Sequence, residues 1–112
     1  MLLSVGSLPE EALAAAAQFH AQVLPRVLEV LGGGEDLVLV FAPADHTHRD
    51  WRNGVVRGLA RQFTPIRVNA IFGDDEPAIA AAAEYLAHAP GVTGQLLPVD
   101  GTGAGPMLYQ AG

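Results

Sequence analysis

Cysteine and lysine are both missing from this 112-residue chain. Without cysteine, the chain can form no disulfide, no thiolate nucleophile and no cysteine-ligated zinc or iron–sulfur site. Without lysine, it has no Schiff-base residue, no phosphate-loop lysine and no lysine acid or base catalyst. These two absences exclude several classes of enzyme before any motif is considered.

Charged residues are scarce, and most of them are acidic. Only 16% of the residues are charged, and the twelve acidic residues and six arginines give a net charge of −6. This balance argues against nucleic-acid binding, which needs a positive surface. Five of the six arginines lie between positions 49 and 67. They could form a local basic stripe, but we expect a solvated helix face with internal ion pairs.

Long apolar runs are also absent. The longest bulky run, Leu37 to Phe41, has the length of a strand, whereas a membrane span needs about 18 apolar residues. The N-terminal segment lacks the basic region of a secretory signal. The sequence therefore predicts a soluble cytoplasmic protein without membrane contact, and its length predicts one domain.

The chain does contain a regular alternation of strand-like and helix-like segments. Apolar runs at residues 2–5, 37–42, 66–72 and 95–99 predict four strands, and apolar residues at helical spacing near 9–31, 46–63 and 77–87 predict three helices. Ser7 is the predicted N-cap of the first helix, which Pro25 is expected to kink. The order β-α-β-α-β-α-β predicts an α/β fold of three layers, with about four mostly parallel strands.

Three stretches resemble motifs of the short-chain dehydrogenase/reductase family. Residues 58–63 and 66–71, GLARQF and IRVNAI, resemble the family's "LARE…IRVNAI", and residues 92–101, VTGQLLPVDG, resemble its C-terminal "VTGQvLpVDGG". Val23-Leu24-Pro25, a triple glycine and the strand after it resemble the family's long helix and the strand that leads to its active site. The resemblance implies a Rossmann-like fold.

The resemblance covers nearly the whole chain but only the second half of the family's fold. The strand–GxxxGxG–helix unit that binds dinucleotide phosphates is expected to be missing. Residues 1–112 are therefore interpreted as a single truncated half domain that ends in a glycine-rich tail at 101–112. NAD or NADP is expected only if a partner supplies the nucleotide-binding half.

The family's catalytic residues are not found at the matching positions. Counted back without gaps from Leu59-Ala60-Arg61, the tyrosine position falls on Asp45 and the lysine position on Arg49. An ion pair with Arg49 would lower the pKa of Asp45, and such a carboxylate is a poor acid near neutral pH. Asn69 matches a strand asparagine of the family that is not the catalytic one. The sequence therefore predicts no catalytic residue and no cofactor-binding residue.

Three other patterns each have a functional and a plainer interpretation. His46-x-His48, flanked by Asp45 and Asp50, has metal-ligand chemistry, but it also fits a polar helix start with Asp45 as the N-cap. Gly101-x-Gly103-x-Gly105 follows a strand as a dinucleotide loop would, but no helix follows it. Gly54-x-x-x-Gly58 predicts a close approach of the second helix, either to the sheet or to a helix of another subunit.

Three functions follow from these patterns. We expect a non-catalytic, short-chain dehydrogenase-like module that forms a dimer or tetramer or binds a full-length reductase, because half of a doubly wound sheet leaves the edge at Leu2 to Val5 bare. The resemblance implies oligomer contacts through the helices at 9–31 and 46–63 and through the last helix and strand. The alternatives are an NAD(P)-linked oxidoreductase subunit whose nucleotide-binding half comes from another chain, and a metal-binding protein that uses His46 and His48.

Overall fold

A computed structural model describes residues 1–99 of the chain. The elements are β1 (Leu2–Gly6), α1 (Ala12–Gln18), a π-helical segment (Phe19–Val23), α2 (Leu24–Gly32), β2 (Leu37–Phe41), a 3₁₀ turn (His46–His48), α3 (Arg49–Gln62), β3 (Val68–Phe72), α4 (Glu76–Ala87) and β4 (Leu96–Pro98). The first three helical segments are continuous and correspond to the first predicted helix. The tail at 101–112, with its Gly101-x-Gly103-x-Gly105 pattern, lies outside the described residues. None of the helices within residues 1–99 is long and apolar enough to cross a membrane.

The four strands form one sheet in the order β1-β2-β3-β4, and every pair is parallel. The central pair is in register from Leu37 opposite Val68 to Phe41 opposite Phe72. The predicted α/β fold, Rossmann-like with a parallel sheet, is therefore confirmed. The four predicted strands are all present, with ends that differ by at most two residues.

Buried side chains form two clusters on opposite faces of the sheet. The larger cluster joins the π-helical segment, α2 and α3 to the sheet, and its fully buried members include Phe19, Val27, Leu31, Leu39, Phe41 and Val56. The smaller cluster joins Ile71 and Val99 to three residues of α4: Ala78, Ala82 and Leu86. Because successive strand residues point to opposite faces, β3 contributes to both clusters. The molecule therefore has the three layers that the sequence predicts.

The starts of the helices agree with the sequence at α4 and differ at α1. At α4, the Asp75 carboxylate accepts the N–H of Ala78 at 3.0 Å. At α1, the helix begins at Ala12, so the cap is Glu11 and not Ser7, and the Glu11 carboxylate accepts the N–H groups of Leu13 and Ala14 at 3.0 and 2.9 Å. The prediction of Ser7 as the cap was therefore wrong. Pro25 lies in the first turn of α2, directly after the π-helical segment, and the predicted kink stays a prediction.

Candidate functional site

The predicted site residues follow β2, at the carboxyl edge of the sheet. The chain leaves Phe41, passes Pro43 and enters the 3₁₀ turn that leads into α3. An open cavity of about 370 Å³ lies here, between this segment and the segment that joins β1 to α1. Open α/β sheets bind their ligands at this edge, so the geometry of these residues decides which chemistry the chain can support.

Asp45 is the N-cap of the 3₁₀ turn, as the plainer interpretation predicted. Its carboxylate accepts a hydrogen bond from the Thr47 hydroxyl and another from the Thr47 N–H at 2.9 Å. These bonds, the hydroxyl bond first, lower the pKa of Asp45 below the ordinary value of an aspartate. An exposed, ionised carboxylate cannot donate a proton near neutral pH, so Asp45 does not replace the tyrosine as a general acid.

Arg49 is exposed at the start of α3. It forms no ion pair with Asp45 within residues 1–99. The suggested ion pair is therefore wrong, because Thr47 rather than Arg49 engages the Asp45 carboxylate. The two residues at the tyrosine and lysine positions do not act as a unit.

His48 is buried, and both of its ring nitrogens are engaged. Nε2 donates to the carbonyl oxygen of Glu10 at 2.7 Å, and Nδ1 accepts the indole N–H of Trp51 at 3.2 Å. A carbonyl only accepts and an indole N–H only donates, so the proton lies on Nε2. His46 is exposed, and the described part of the chain contains no group of three or more potential metal ligands. The metal hypothesis stays a prediction, and a metal on His48 would have to displace one of these bonds.

Asn69 is buried in β3 and uses both ends of its amide. Nδ2 donates to the carbonyl oxygen of Val92 at 3.0 Å, and Oδ1 accepts the N–H of Gln95 at 3.0 Å. Asn69 thereby ties β3 to the loop before β4. This matched family residue therefore has a structural role in the fold.

The structure adds Arg52, which the sequence patterns missed. Its side chain is only 5% exposed and packs beside Val56 on the inner face of α3. The guanidinium carbon lies 4.6 Å from the ring centre of Phe41 and 5.8 Å from that of Trp51. Within residues 1–99 it forms no ion pair, and its Nε is buried without a hydrogen-bond partner. Burial lowers the pKa of Arg52 below the ordinary value.

The expectation of a solvated arginine face is wrong for Arg52. The other arginines of α3, Arg49, Arg57 and Arg61, are exposed, but none forms an ion pair within the described residues. The missed signal is the four-residue spacing that places Arg52 in line with Val56. The apolar residues at helical spacing in this helix, such as Trp51 and Leu59, pack in or against the same core cluster, so Arg52 lies beside them on the buried side of α3.

A nicotinamide dinucleotide does not fit the described residues at this edge. The starts of α1, of the 3₁₀ turn and of α4 are each capped by a carboxylate: Glu11, Asp45 and Asp75. Phosphates bind at helix starts because free N–H groups and the helix dipole attract negative charge. Here carboxylates already occupy N–H groups at each start, so these N–H groups are not free to hold the phosphates of a dinucleotide.

The fold defines a Rossmann-like α/β protein with one parallel sheet. A family model described as "short chain dehydrogenase-like protein" matches residues 3–99. The chain therefore belongs to the short chain dehydrogenase-like family, and the resemblance seen in the sequence is confirmed. No curated protein and no solved structure matches the chain at a significant level.

Proposed function

We propose that this short chain dehydrogenase-like chain is a non-catalytic module that associates with a second copy of itself through β1. The observation that carries the proposal is the edge of the sheet at β1. Among the described residues, β1 pairs only with β2, so the backbone groups along its other side are open to a further strand. The proposed function is to form an assembly, not to catalyse a reaction.

The two edges of the sheet differ in how well they are protected. β4 has three residues and ends at Pro98, and both shortness and proline discourage the addition of a strand. β1 has five residues, LLSVG, with no proline and no charge. Its register with β2 shifts only at its end, between Ser4 and Gly6. β1 is thus the edge that is suited to pairing.

One face of the sheet beside β1 is also uncovered. A groove of about 540 Å³ runs between β1 and α4, and Leu2, Val40 and Ile79 contribute its apolar lining. Leu2 is 51% exposed. Both faces of a parallel sheet are normally covered, so a partner that extends the sheet at β1 would also bury this surface.

A second copy of the chain fits the chemistry of β1. Two-fold association brings the same strand from each copy together in antiparallel orientation. Because β1 carries no charge, the two copies would meet without repulsion between like charges. A full-length reductase, or a chain that supplies a nucleotide-binding half, is the alternative occupant of the edge.

Size-exclusion chromatography with light scattering at micromolar concentration tests the proposal. We expect the native protein to be a dimer. Ser4→Lys places a charge on an exposed position of β1 and should weaken association at least tenfold. Leu13→Lys is the matched control, because Leu13 is 79% exposed on the distant helix α1; this variant should remain a dimer. Circular dichroism would verify that both variants are folded.

Three outcomes would contradict the proposal. A native protein that is monomeric at these concentrations overturns self-association. If that monomer instead forms a complex with a full-length reductase, the alternative partner is favoured. Dissociation by Leu13→Lys but not by Ser4→Lys would move the interface to the helices. Saturable binding of NAD(H) or NADP(H) in calorimetry would argue for the oxidoreductase subunit instead.

A further inference from the structure

Arg52 is a buried cation without a counter-charge among residues 1–99. Burial of a charge is unfavourable unless the charge is paired and hydrogen-bonded. The Phe41 ring, 4.6 Å from the guanidinium carbon, supplies a cation–π contact that compensates only part of this cost. The Nε–H still has no acceptor in the described part of the chain. An anion that pairs with this guanidinium would therefore offset the cost of its burial.

Arg52 lines the 370 Å³ cavity at the carboxyl edge of the sheet, which we name the Arg52 cavity. Its apolar walls come from the segments after β1 and β2: Leu8, Pro9, Ala42, Pro43 and Ala44. The volume lies within the range of sites that bind small molecules, about 300–1,000 Å³. The cation of Arg52 beside these apolar residues suits a ligand with one anionic end and a small apolar body.

We propose that the Arg52 cavity binds a small monocarboxylate with an apolar body, whose carboxylate pairs with the Arg52 guanidinium. The planar guanidinium matches a carboxylate with two parallel hydrogen bonds. The apolar body contacts Leu8, Pro9 and the segment of residues 42–44. This site does not depend on the association through β1.

Two acidic residues restrict the charge of the ligand. Glu10 and Asp45 also line the Arg52 cavity, and both are exposed. A phosphate dianion would bring two negative charges toward these carboxylates and one guanidinium. A monocarboxylate brings one charge and is neutralised by Arg52. The cavity should therefore select a monocarboxylate over phosphate.

The walls of the cavity are fixed before a ligand binds. His48 joins Glu10, on the segment after β1, to Trp51 on α3 through its two ring nitrogens. Trp51 packs in turn against Phe19 and Phe41, with ring centres 5.4 and 5.6 Å away. A site held in this way loses little conformational entropy on binding. It also places the single tryptophan of the chain beside Arg52, where it can report binding.

Hexanoate is a suitable probe, with hexanol and inorganic phosphate as controls. We expect hexanoate to change the fluorescence of Trp51 saturably in the native protein at neutral pH and low salt. Calorimetry should give an affinity at least tenfold higher than for hexanol or phosphate. Absence of saturable hexanoate binding, or tighter binding of phosphate, would overturn the proposal.

Variants then assign the binding to Arg52. Arg52→Met should lower the affinity for hexanoate at least tenfold, whereas Arg57→Met, an exposed arginine of the same helix, should leave it unchanged. Ala44→Phe fills the cavity from an exposed position and retains Arg52. This variant should also lower the affinity for hexanoate tenfold, and it tests the site if Arg52→Met fails to fold. Native affinity in Ala44→Phe, or in a folded Arg52→Met, would overturn the proposal.

Discussion

Arg67 connects three parts of the fold through one side chain. Its Nε and Nη2 donate to Oδ2 of Asp36 at 3.1 and 2.9 Å, and its backbone N–H donates to Oδ1 at 2.8 Å. Nη1 donates to the carbonyl oxygens of Leu86 and Ala89, at the end of α4, at 2.8 and 2.9 Å. The backbone bond of Arg67, followed by its side chain, lowers the pKa of Asp36. This pair holds the starts of β2 and β3 against the end of α4.

The pairing makes stability depend on pH in a defined direction. The pKa of Asp36 is lower in the folded than in the unfolded chain. The Asp36 charge therefore stabilises the folded chain above the ordinary aspartate pKa, and this stabilisation is lost as the pH falls through the pKa of the folded chain. Asp36→Asn should lower the free energy of unfolding by about 1 kcal/mol at neutral pH, since the carboxylate is half exposed and partly screened. Urea unfolding from neutral pH down to strongly acidic pH measures this difference.

The difference between native protein and Asp36→Asn should shrink as the pH falls below the ordinary aspartate value. Glu29→Gln, at an exposed position of α2, is the control and should unfold like the native protein. A difference that is constant across the pH range would show that the Asp36 charge does not contribute.

Directly after β3, Gly73 lies where two neighbouring segments of the fold come close together. Gly73 donates its N–H to the carbonyl oxygen of Phe41 and lies against Val99, beyond β4. A Cβ atom on Gly73 would lie 2.6 Å from the Val99 carbonyl oxygen and 2.9 Å from its Cγ2. A glycine is therefore required where the segments after β3 and β4 meet.

Gly73→Ala should lower the free energy of unfolding by about 1–3 kcal/mol, because backbone and side-chain atoms of Val99 must move. Gly54→Ala is the matched control. Nothing lies within 4 Å of a Cβ at Gly54 in the described part of the chain, so alanine should raise the stability of α3 by about 0.5–1 kcal/mol. Thermal or urea unfolding of both variants measures the contrast, and equal effects would contradict it.

The open space around Gly54 and Gly58 also corrects an interpretation of the sequence. Apart from the adjoining residues and the backbone of α3 itself, no atom of residues 1–99 lies within 4 Å of a Cβ added at either glycine, so the pattern does not serve packing of α3 on the sheet. If Gly54→Ala lowers stability, a second subunit must approach α3 at this point. The same variant therefore distinguishes a helix interface from the proposed interface at β1.

At the scale of the whole molecule, association and stability are linked. A dimer that unfolds to monomers has a melting temperature that rises with protein concentration. We expect this rise for the native protein and for Leu13→Lys, but not for Ser4→Lys. Differential scanning calorimetry over a wide range of protein concentrations measures it. A native melting temperature that does not change with concentration would contradict association through β1.

Much of the fold could be predicted from the sequence because its patterns are local. The run Leu37 to Phe41 has the composition of a buried strand, and Asp75 with Pro77 marks the start of α4. The cap of α1 was missed because Ser7 and Glu11 are both able to cap, and the choice depends on which N–H groups the carboxylate reaches. The candidate site was predicted less well, since the orientation of α3 decides which of Trp51 and Arg52 is buried.

The sequence by itself determined the order of the elements, the parallel sheet and the family. Each of these depends on residue types at fixed positions along the chain. Only the tertiary structure decided that Arg52 is a buried cation beside an apolar cavity and that His48 has both ring nitrogens engaged. These facts depend on contacts between distant segments, such as the bond from His48 to Glu10 across 38 positions, and no local pattern encodes such a contact.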